Sequence, residues 1–301
     1  MSINMVGGGD GAVYDRGYRP YDGPRGRRGA AMVALWKASM RRALGIRRSW
    51  RQKVAPFLLL GVVTVPAIVN VGIGYVTRDR QFNRLEIITY RNYVGVSSAL
   101  LLFVALVAPD VMCPDRRQRV LPLMFARPLT GVNYVTAKVG AIASILFAFS
   151  FLPQVVLFVG NMLVSDSAAD YFTGHLDVLW KVPVSVLLLA IYYAVIGVAI
   201  SSLTDRRIVA GASLIGLVLI TSISAGIIID SGPSGSGSLA ALINVLSLPL
   251  QLRDLVFLGH LDPELSLYGA RSAGLLAVVT YLAVLLAGIG TLLRRYRWVE
   301  S

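Results

Sequence analysis

Residues 182–203 read VPVSVLLLAIYYAVIGVAISSL and contain no acidic, basic or histidine side chain. A helix of this length spans the ~30 Å hydrocarbon core of a bilayer. The rest of the chain has a similar character, since its 301 residues are 55% apolar and only 15% charged, with a mean hydropathy of +0.67. Such a chain has too few polar side chains to cover the surface of a soluble domain, which excludes an ordinary soluble enzyme.

Five more runs of this kind lie on either side of residues 182–203. A helix needs about 20 apolar residues to cross a membrane. Asp110, near the end of the second run, is the one Asp, Glu, Lys, Arg or His residue that falls inside any of them. We therefore predict an all-α polytopic membrane protein with six transmembrane helices. The predicted spans are residues 54–75, 92–112, 139–164, 182–203, 208–229 and 273–293.

A seventh apolar run, Leu239–Leu250, is too short to cross the membrane and is interrupted by Pro249. Non-helical backbone at membrane depth is tolerated only where protein or a water-filled cavity covers it. We therefore predict that residues 239–259, between the fifth and sixth spans, form a re-entrant hairpin of two helices. A pair of helices lying on the membrane surface is the alternative. A re-entrant hairpin here indicates an exit gate, with Pro249, Arg253 and Asp254 as its candidate residues.

Lysine and arginine are distributed unevenly between the segments that join the spans. With six spans, 22 of the 29 basic residues fall on the side that holds both termini and 7 fall on the other side. Basic residues accumulate on the cytoplasmic side of membrane proteins, so both termini are predicted to be cytoplasmic. Insertion and contact with anionic lipid headgroups account for the net charge of +13, and no nucleic-acid partner is needed to explain it.

The segments before the first span differ in composition. Residues 1–29 contain eight glycines and no apolar periodicity, which is typical of a disordered tail. From Ala31 onward, apolar residues recur at helical spacing while basic residues occupy the other faces. Residues 30–53 are therefore predicted to form an amphipathic connecting helix at the cytoplasmic interface, and residues 54–301 the transmembrane domain.

The cytoplasmic segment between the second and third spans, residues 110–138, is the most informative one. Its residues 115–129 read DRRQRVLPLMFARPL, and Tyr134 and Lys138 follow before the third span. An apolar helical turn flanked by charge and held outside the membrane is typical of a docking element for another protein. A basic surface helix next to the membrane explains the same pattern equally well.

Residues 115–129, together with Tyr134 and Lys138, resemble the cytoplasmic loop of permease subunits in type-2 ATP-binding-cassette (ABC) exporters. The resemblance extends to the connecting helix, the six spans, a short turn after the fourth span and the broken hairpin before the sixth. The chain departs from the commonest pattern at Val120, where a small residue or Thr is frequent, and at Pro122, where an acidic residue is frequent.

The resemblance implies two permease subunits, identical or different, in the plasma membrane of a bacterium. Two ATPase subunits would bind to this dimer on its cytoplasmic side. ATP and Mg²⁺ would bind to the partner ATPase, and this chain would bind no cofactor itself. The loop residues implied to contact the ATPase are Asp115, Arg116, Arg117, Arg119, Leu121, Leu123, Arg127 and Pro128. The resemblance also implies that the second and fifth spans line a path between the permeases. Its candidate residues are Ser97, Ser98, Thr221 and Ser222, for which packing within the bundle is the alternative role.

Several chemistries are missing from the sequence. It contains no phosphate-binding loop of the Gly-x4-Gly-Lys-Ser/Thr type, so the chain does not bind ATP in that way. The spans other than the second contain no Asp, Glu, Lys, Arg or His. This disfavours proton coupling and favours an apolar or amphipathic substrate, such as a lipid, drug, antibiotic or peptide.

His175 and His260 lie in separate outer loops without the spacing of metal ligands, so we predict no catalytic or metal site. These histidines and neighbouring acids such as Asp254 are expected to be exposed to solvent. Cys113, the single cysteine, is expected to be a free thiol.

The leading interpretation is thus a non-catalytic membrane subunit of an ATP-driven exporter. Two other classes remain open: a secondary carrier that works without ATP, and a membrane assembly or structural protein without a transport path.

Overall fold

The computed structural model describes residues 28–46, 50–77, 88–93, 97–118, 121, 129–231, 240–261 and 272–297. All the secondary structure in these residues is helical, which confirms the predicted all-α class. The α-helices are α1 Arg28–Ala43, α2 Trp50–Thr77, α3 Tyr90–Tyr93, α4 Ser97–Arg117, α5 Gly131–Val164, α6 Ala168–Gly174, α7 Leu176–Leu203, α8 Arg207–Ser231, α9 Leu248–Leu258 and α10 Ala273–Arg297; a 3₁₀ helix covers Ala241–Ile243.

Five of these helices, α2, α5, α7, α8 and α10, are long and apolar enough to cross a membrane. The chain therefore has the architecture of a helical membrane protein. The predicted second span corresponds to α4, which is not among the five. The last eight residues of α4 include four charged side chains. These are Asp110, Asp115, Arg116 and Arg117.

Helix α7 lies at the centre of the bundle, in contact with α4, α5, α8, α9 and α10. Of the 18 most apolar consecutive residues of α7, 67% are buried inside the bundle. The corresponding buried share is 11% in α2 and 17% in both α8 and α10. Because α2, α8 and α10 leave most of their apolar residues uncovered, they form the periphery of the bundle, where a membrane would supply the apolar surroundings.

The connecting helix is shorter than predicted. Instead of running over residues 30–53, α1 ends at Ala43, where Gly45 adopts the left-handed conformation with φ of 65°. The amide of Ile46 then bonds to the Arg41 carbonyl and that of Gly45 to the Arg42 carbonyl, a C-terminal cap that glycine favours. The next helix begins at Trp50, so the last residues of the predicted connecting helix belong to α2.

Helix also extends into both ends of the segment predicted as a loop over residues 110–138. Helix α4 continues to Arg117, and α5 begins at Gly131, where the Thr130 side chain accepts a hydrogen bond from the Asn133 amide as its N-cap. At the other end of the second predicted span, residues 92–93 belong to the separate short helix α3, and α4 begins at Ser97.

Helices α4 and α8 approach each other closely at Gly211. A Cβ atom at this position would lie 2.9 Å from the backbone oxygen of Ala105, which cannot rotate away as a side chain could. The absence of a side chain is therefore what allows the two helices to pack at this distance.

Gly211→Ala is expected to push α4 and α8 apart and to destabilise the protein by about 1 to 2 kcal/mol, within the range of overpacked cores. Gly216 in the same helix is the matched control, since a Cβ atom there would meet no atom within 4 Å. Thermal unfolding of the purified protein in detergent measures both variants. Gly216→Ala is expected to keep or slightly raise the stability, because alanine favours a helix over glycine. Equal stabilities of the two variants would show that close packing does not matter at Gly211.

Candidate functional site

A buried ionic cluster joins three helices at one end of the bundle. We call it the basic-end cluster and define it by Arg42, Asp115, Tyr134 and Lys138. The Asp115 carboxylate is fully buried at the end of α4, and one of its oxygens lies 2.6 Å from Lys138 Nζ of α5. The Tyr134 hydroxyl donates to the same oxygen at 3.0 Å, while Arg42 of α1 pairs with the other oxygen.

The buried carboxylate of Asp115 is compensated by two cations, Lys138 and Arg42. Lys138 is 1% exposed, also donates to the Val111 carbonyl at 3.1 Å, and lies 5.4 Å from the centre of the Tyr134 ring. Burial alone would raise the pKa of Asp115, but attraction to Lys138 and Arg42 outweighs burial and holds that pKa below its usual range. Asp115 is therefore ionised near neutral pH, and α1, α4 and α5 are held together by charge.

A second set of polar contacts ties the end of α4 to the turn between α7 and α8. Arg116 donates to the Ser202 carbonyl at 2.5 Å and pairs with Asp205 at 3.0 Å. Arg207 at the start of α8 pairs with Asp110 at 2.7 Å. With the basic-end cluster, these contacts define what we call the basic end of the bundle.

Of the apolar residues predicted to contact the ATPase, Leu121 is the one that the structure describes. It is partly buried against the core and lines a pocket of about 550 Å³ between α4, α7 and α10, together with Arg116, Leu203 and Tyr296. Arg117 is exposed at the end of α4. The other predicted contact residues, Arg119, Leu123, Arg127 and Pro128, lie outside the described residues.

Sequence reasoning placed Arg42 on the polar face of the connecting helix and gave Tyr134 and Lys138 no specific role. The sequence nevertheless contained a pattern that could have placed Tyr134 and Lys138 in one cluster with Asp115. Tyr134 and Lys138 are four residues apart, so on a helix they share a face, and Asp115 is the first acid after the preceding predicted span.

The predicted path residues are only partly brought together. Ser222 of α8 donates to Asn244 Oδ1 at 2.9 Å, in the turn that follows the 3₁₀ helix. Thr221 bonds back to the Val218 carbonyl of its own helix. The side chains of Ser97 and Ser98 lie outside the described residues. Ser222 therefore links the predicted path to the predicted hairpin.

The residues of the predicted hairpin form two helical segments, Ala241–Ile243 and Leu248–Leu258, and Pro249 is the second residue of the latter. Asp254 does not lie in a solvated loop as expected but is 1% exposed. Its carboxylate pairs with Arg253 at 2.7 Å and with Arg91 of α3 at 3.0 Å. The buried acid thus fastens α3 to α9.

Both histidines contact backbone carbonyls. His175 Nδ1 lies 2.9 Å from the Tyr171 carbonyl, and its ring stacks on that tyrosine with centroids 4.1 Å apart. His260 Nδ1 lies 2.8 Å from the Leu261 carbonyl. Within the described ranges, no three His, Cys, Asp or Glu side chains are grouped so that they could hold a metal ion. Cys113 is buried and free.

Comparison with known proteins adds no family assignment, because no family model matches the sequence and no curated protein matches it significantly.

Proposed function

We propose that this chain is the membrane-spanning permease subunit of an ATP-driven exporter of the type-2 ABC class, acting on an apolar or amphipathic substrate. In this proposal α4 supplies the sixth span, both termini and the basic end are cytoplasmic, and residues 239–259 form the exit hairpin. Two cytoplasmic ATPase subunits bind ATP and Mg²⁺, and a second permease subunit completes the complex in the plasma membrane.

The observation that carries the proposal is the set of polar contacts at the basic end. A permease driven by a separate ATPase must pass a displacement from its docking segment to its spans. The segment that resembles a coupling loop leaves α4 beside Asp115 and Arg116, which are bonded to α1, α5 and the turn between α7 and α8. A force applied there would move these elements together, because buried charge pairs resist separation.

The composition of the spans supports an external source of energy. In the five apolar helices, the Asp, Glu, Lys, Arg and His side chains that the structure describes lie within the first or last eight residues of each helix. Lys138, one of them, is paired with Asp115. A carrier driven by protons or ions usually has such groups near the middle of its spans. An apolar interior suits a substrate that moves with lipid better than it suits an ion.

Purification from native membranes in a mild detergent tests the proposal. We expect one ATP-hydrolysing subunit per permease chain to remain bound, and we expect ATP hydrolysis in liposomes to respond to the transported compound. A secondary carrier or an assembly protein would be isolated without such a subunit, and that result would refute the proposal.

Leu121→Glu is expected to uncouple ATP hydrolysis from transport without preventing membrane insertion. The new charge would enter the partly buried position of Leu121 in the segment proposed to dock on the ATPase. We expect at least a tenfold fall in transported substrate per ATP hydrolysed. Leu176→Glu is the control, since Leu176 is exposed in the first turn of α7, where an acid is favourable. Normal coupling in the Leu121 variant would exclude this segment as the docking element.

A further inference from the structure

A small apolar cavity lies between α5 and α7. Its volume is about 160 Å³, and its lining includes Phe151, Val155 and Phe158 from α5 and Leu179 and Val182 from α7. An apolar protein cavity of about 150 Å³ is large enough to bind benzene. The space between α5 and α7 can therefore hold a short segment of a hydrocarbon chain.

One side chain with a polar group, Gln154, lines this cavity and is only 2% exposed. Its Nε2 atom donates to the Tyr90 carbonyl at 3.3 Å, which fixes the orientation of the carboxamide. Its Oε1 atom is buried and accepts no hydrogen bond from any residue in the described part of the chain. A buried acceptor left in this state is unfavourable and calls for a donor from outside the protein.

Pro183 interrupts the backbone hydrogen bonding of α7 beside the cavity. It lines the cavity in the second turn of α7 and has no backbone N–H. The helical hydrogen bond that residue 183 would donate to the Leu179 carbonyl, four residues earlier, is therefore missing. The cavity is thus apolar, with one acceptor that lacks a partner, Gln154 Oε1, and no charged side chain among the described residues that line it.

The mouth of the cavity opens toward the region a bilayer would occupy. Val155 and Leu179 at its rim are 42% and 45% exposed, and both α5 and α7 are long and apolar enough to cross a membrane. Gln154 lies ten residues before the end of α5, and Pro183 seven residues after the start of α7. Both residues are nearer the ends of α5 and α7 that lie opposite the basic end, so the site lies toward that side of a membrane.

We propose that this cavity binds a membrane lipid that carries a free hydroxyl close to its chains, with diacylglycerol as the simplest example. The hydroxyl donates to Gln154 Oε1, and the adjoining chain segment fills the space beside Phe151 and Phe158. This site goes beyond the proposed exporter function, since it requires only that α5 and α7 cross a membrane. A charged headgroup would find no counter-charge in the described lining, whereas a hydroxyl finds an acceptor.

The experiment measures binding of dioleoylglycerol, and of its O-methyl ether, to the purified full-length chain in detergent by native mass spectrometry. We expect the free alcohol to bind about fivefold more tightly than the ether, the effect of one hydrogen bond. Gln154→Leu should abolish this preference. Val155→Trp should fill the cavity and weaken binding of both compounds at least tenfold. Val159→Trp is the matched control, one turn away in α5, with Val159 41% exposed and outside the cavity lining.

Equal binding of the alcohol and the ether to the wild-type chain would overturn the proposal, as would equal effects of the two tryptophan variants. Reaction of the buried Cys113 thiol with a maleimide dye reports whether each variant is folded. If Val155→Trp exposes Cys113 and cannot be used, the loss or retention of the alcohol preference in Gln154→Leu decides the question by itself.

Discussion

Asp115→Asn is expected to lower the free energy of unfolding by about 3 to 5 kcal/mol, the usual cost of removing one partner from a buried ion pair. The substitution keeps the size of the side chain and an oxygen that can accept from Tyr134. It removes the negative charge that compensates Lys138, whose ammonium lies 2.6 Å from the carboxylate and is almost inaccessible to solvent. It also removes the charge that pairs with Arg42 of α1.

Thermal unfolding in detergent, followed by circular dichroism, measures the effect, and we expect a fall in the transition temperature of roughly 10 °C. Asp110→Asn is the control in the same helix, because Asp110 and its partner Arg207 are partly exposed and such pairs contribute at most about 1 kcal/mol. The double variant Asp115→Asn, Lys138→Met should recover much of the loss, since it leaves no unpaired ammonium. Similar transition temperatures for the two single variants would contradict the assignment of Asp115 as a buried compensating charge.

Asp254→Asn should destabilise the opposite end of the bundle by about 2 to 3 kcal/mol, within the range for hydrogen bonds to charged groups. The carboxylate is buried and pairs with Arg253 at 2.7 Å and Arg91 at 3.0 Å. Because Arg91 belongs to the four-residue helix α3, loss of this pair should release Tyr90–Tyr93 before the rest of the chain unfolds.

Hydrogen–deuterium exchange of the Tyr90–Tyr93 amides, combined with thermal unfolding, measures the release of α3. Asp177→Asn is the control, since Asp177 forms an exposed pair with Lys181 one turn away in α7, and such pairs contribute only about 0.3 to 0.5 kcal/mol. Unchanged exchange at α3 in the Asp254 variant would mean that α3 is held by its other contacts. Among these is the Gln154 hydrogen bond to the Tyr90 carbonyl.

The positions of the apolar helices could be predicted from the sequence because membrane length and the exclusion of charge act on each segment alone. Their ends were harder to predict. The third span was predicted to start after Lys138, whereas α5 begins at Gly131, because a search for uncharged runs stops at a lysine even when an aspartate neutralises it. By contrast, the end of α1 had a local signal, Gly45, which the prediction of a helix over residues 30–53 passed over.

The polar contacts of the candidate site could be predicted less well, because they join residues far apart in the chain. Asp115 belongs to the segment singled out from the sequence, but its pairing with Arg42 bridges 73 positions and depends on how α1 packs. The same holds for Asp254, expected in a solvated loop and found buried beside Arg91, 163 positions away. Periodicity assigns a residue to a face of its own helix, whereas partners of this kind are fixed by tertiary packing.

Helix α5 is 34 residues long, so it extends about 51 Å and exceeds the thickness of a bilayer core by some 20 Å. Near one end it carries Tyr134 and Lys138 of the basic-end cluster, and in its other half Gln154 contacts α3. A helix of this length magnifies rotation: a tilt of 5° about Gly131 displaces Gln154, about 35 Å away, by about 3 Å, the length of a hydrogen bond. A small rotation at the Asp115 end would therefore make or break polar contacts on the far side of the bundle.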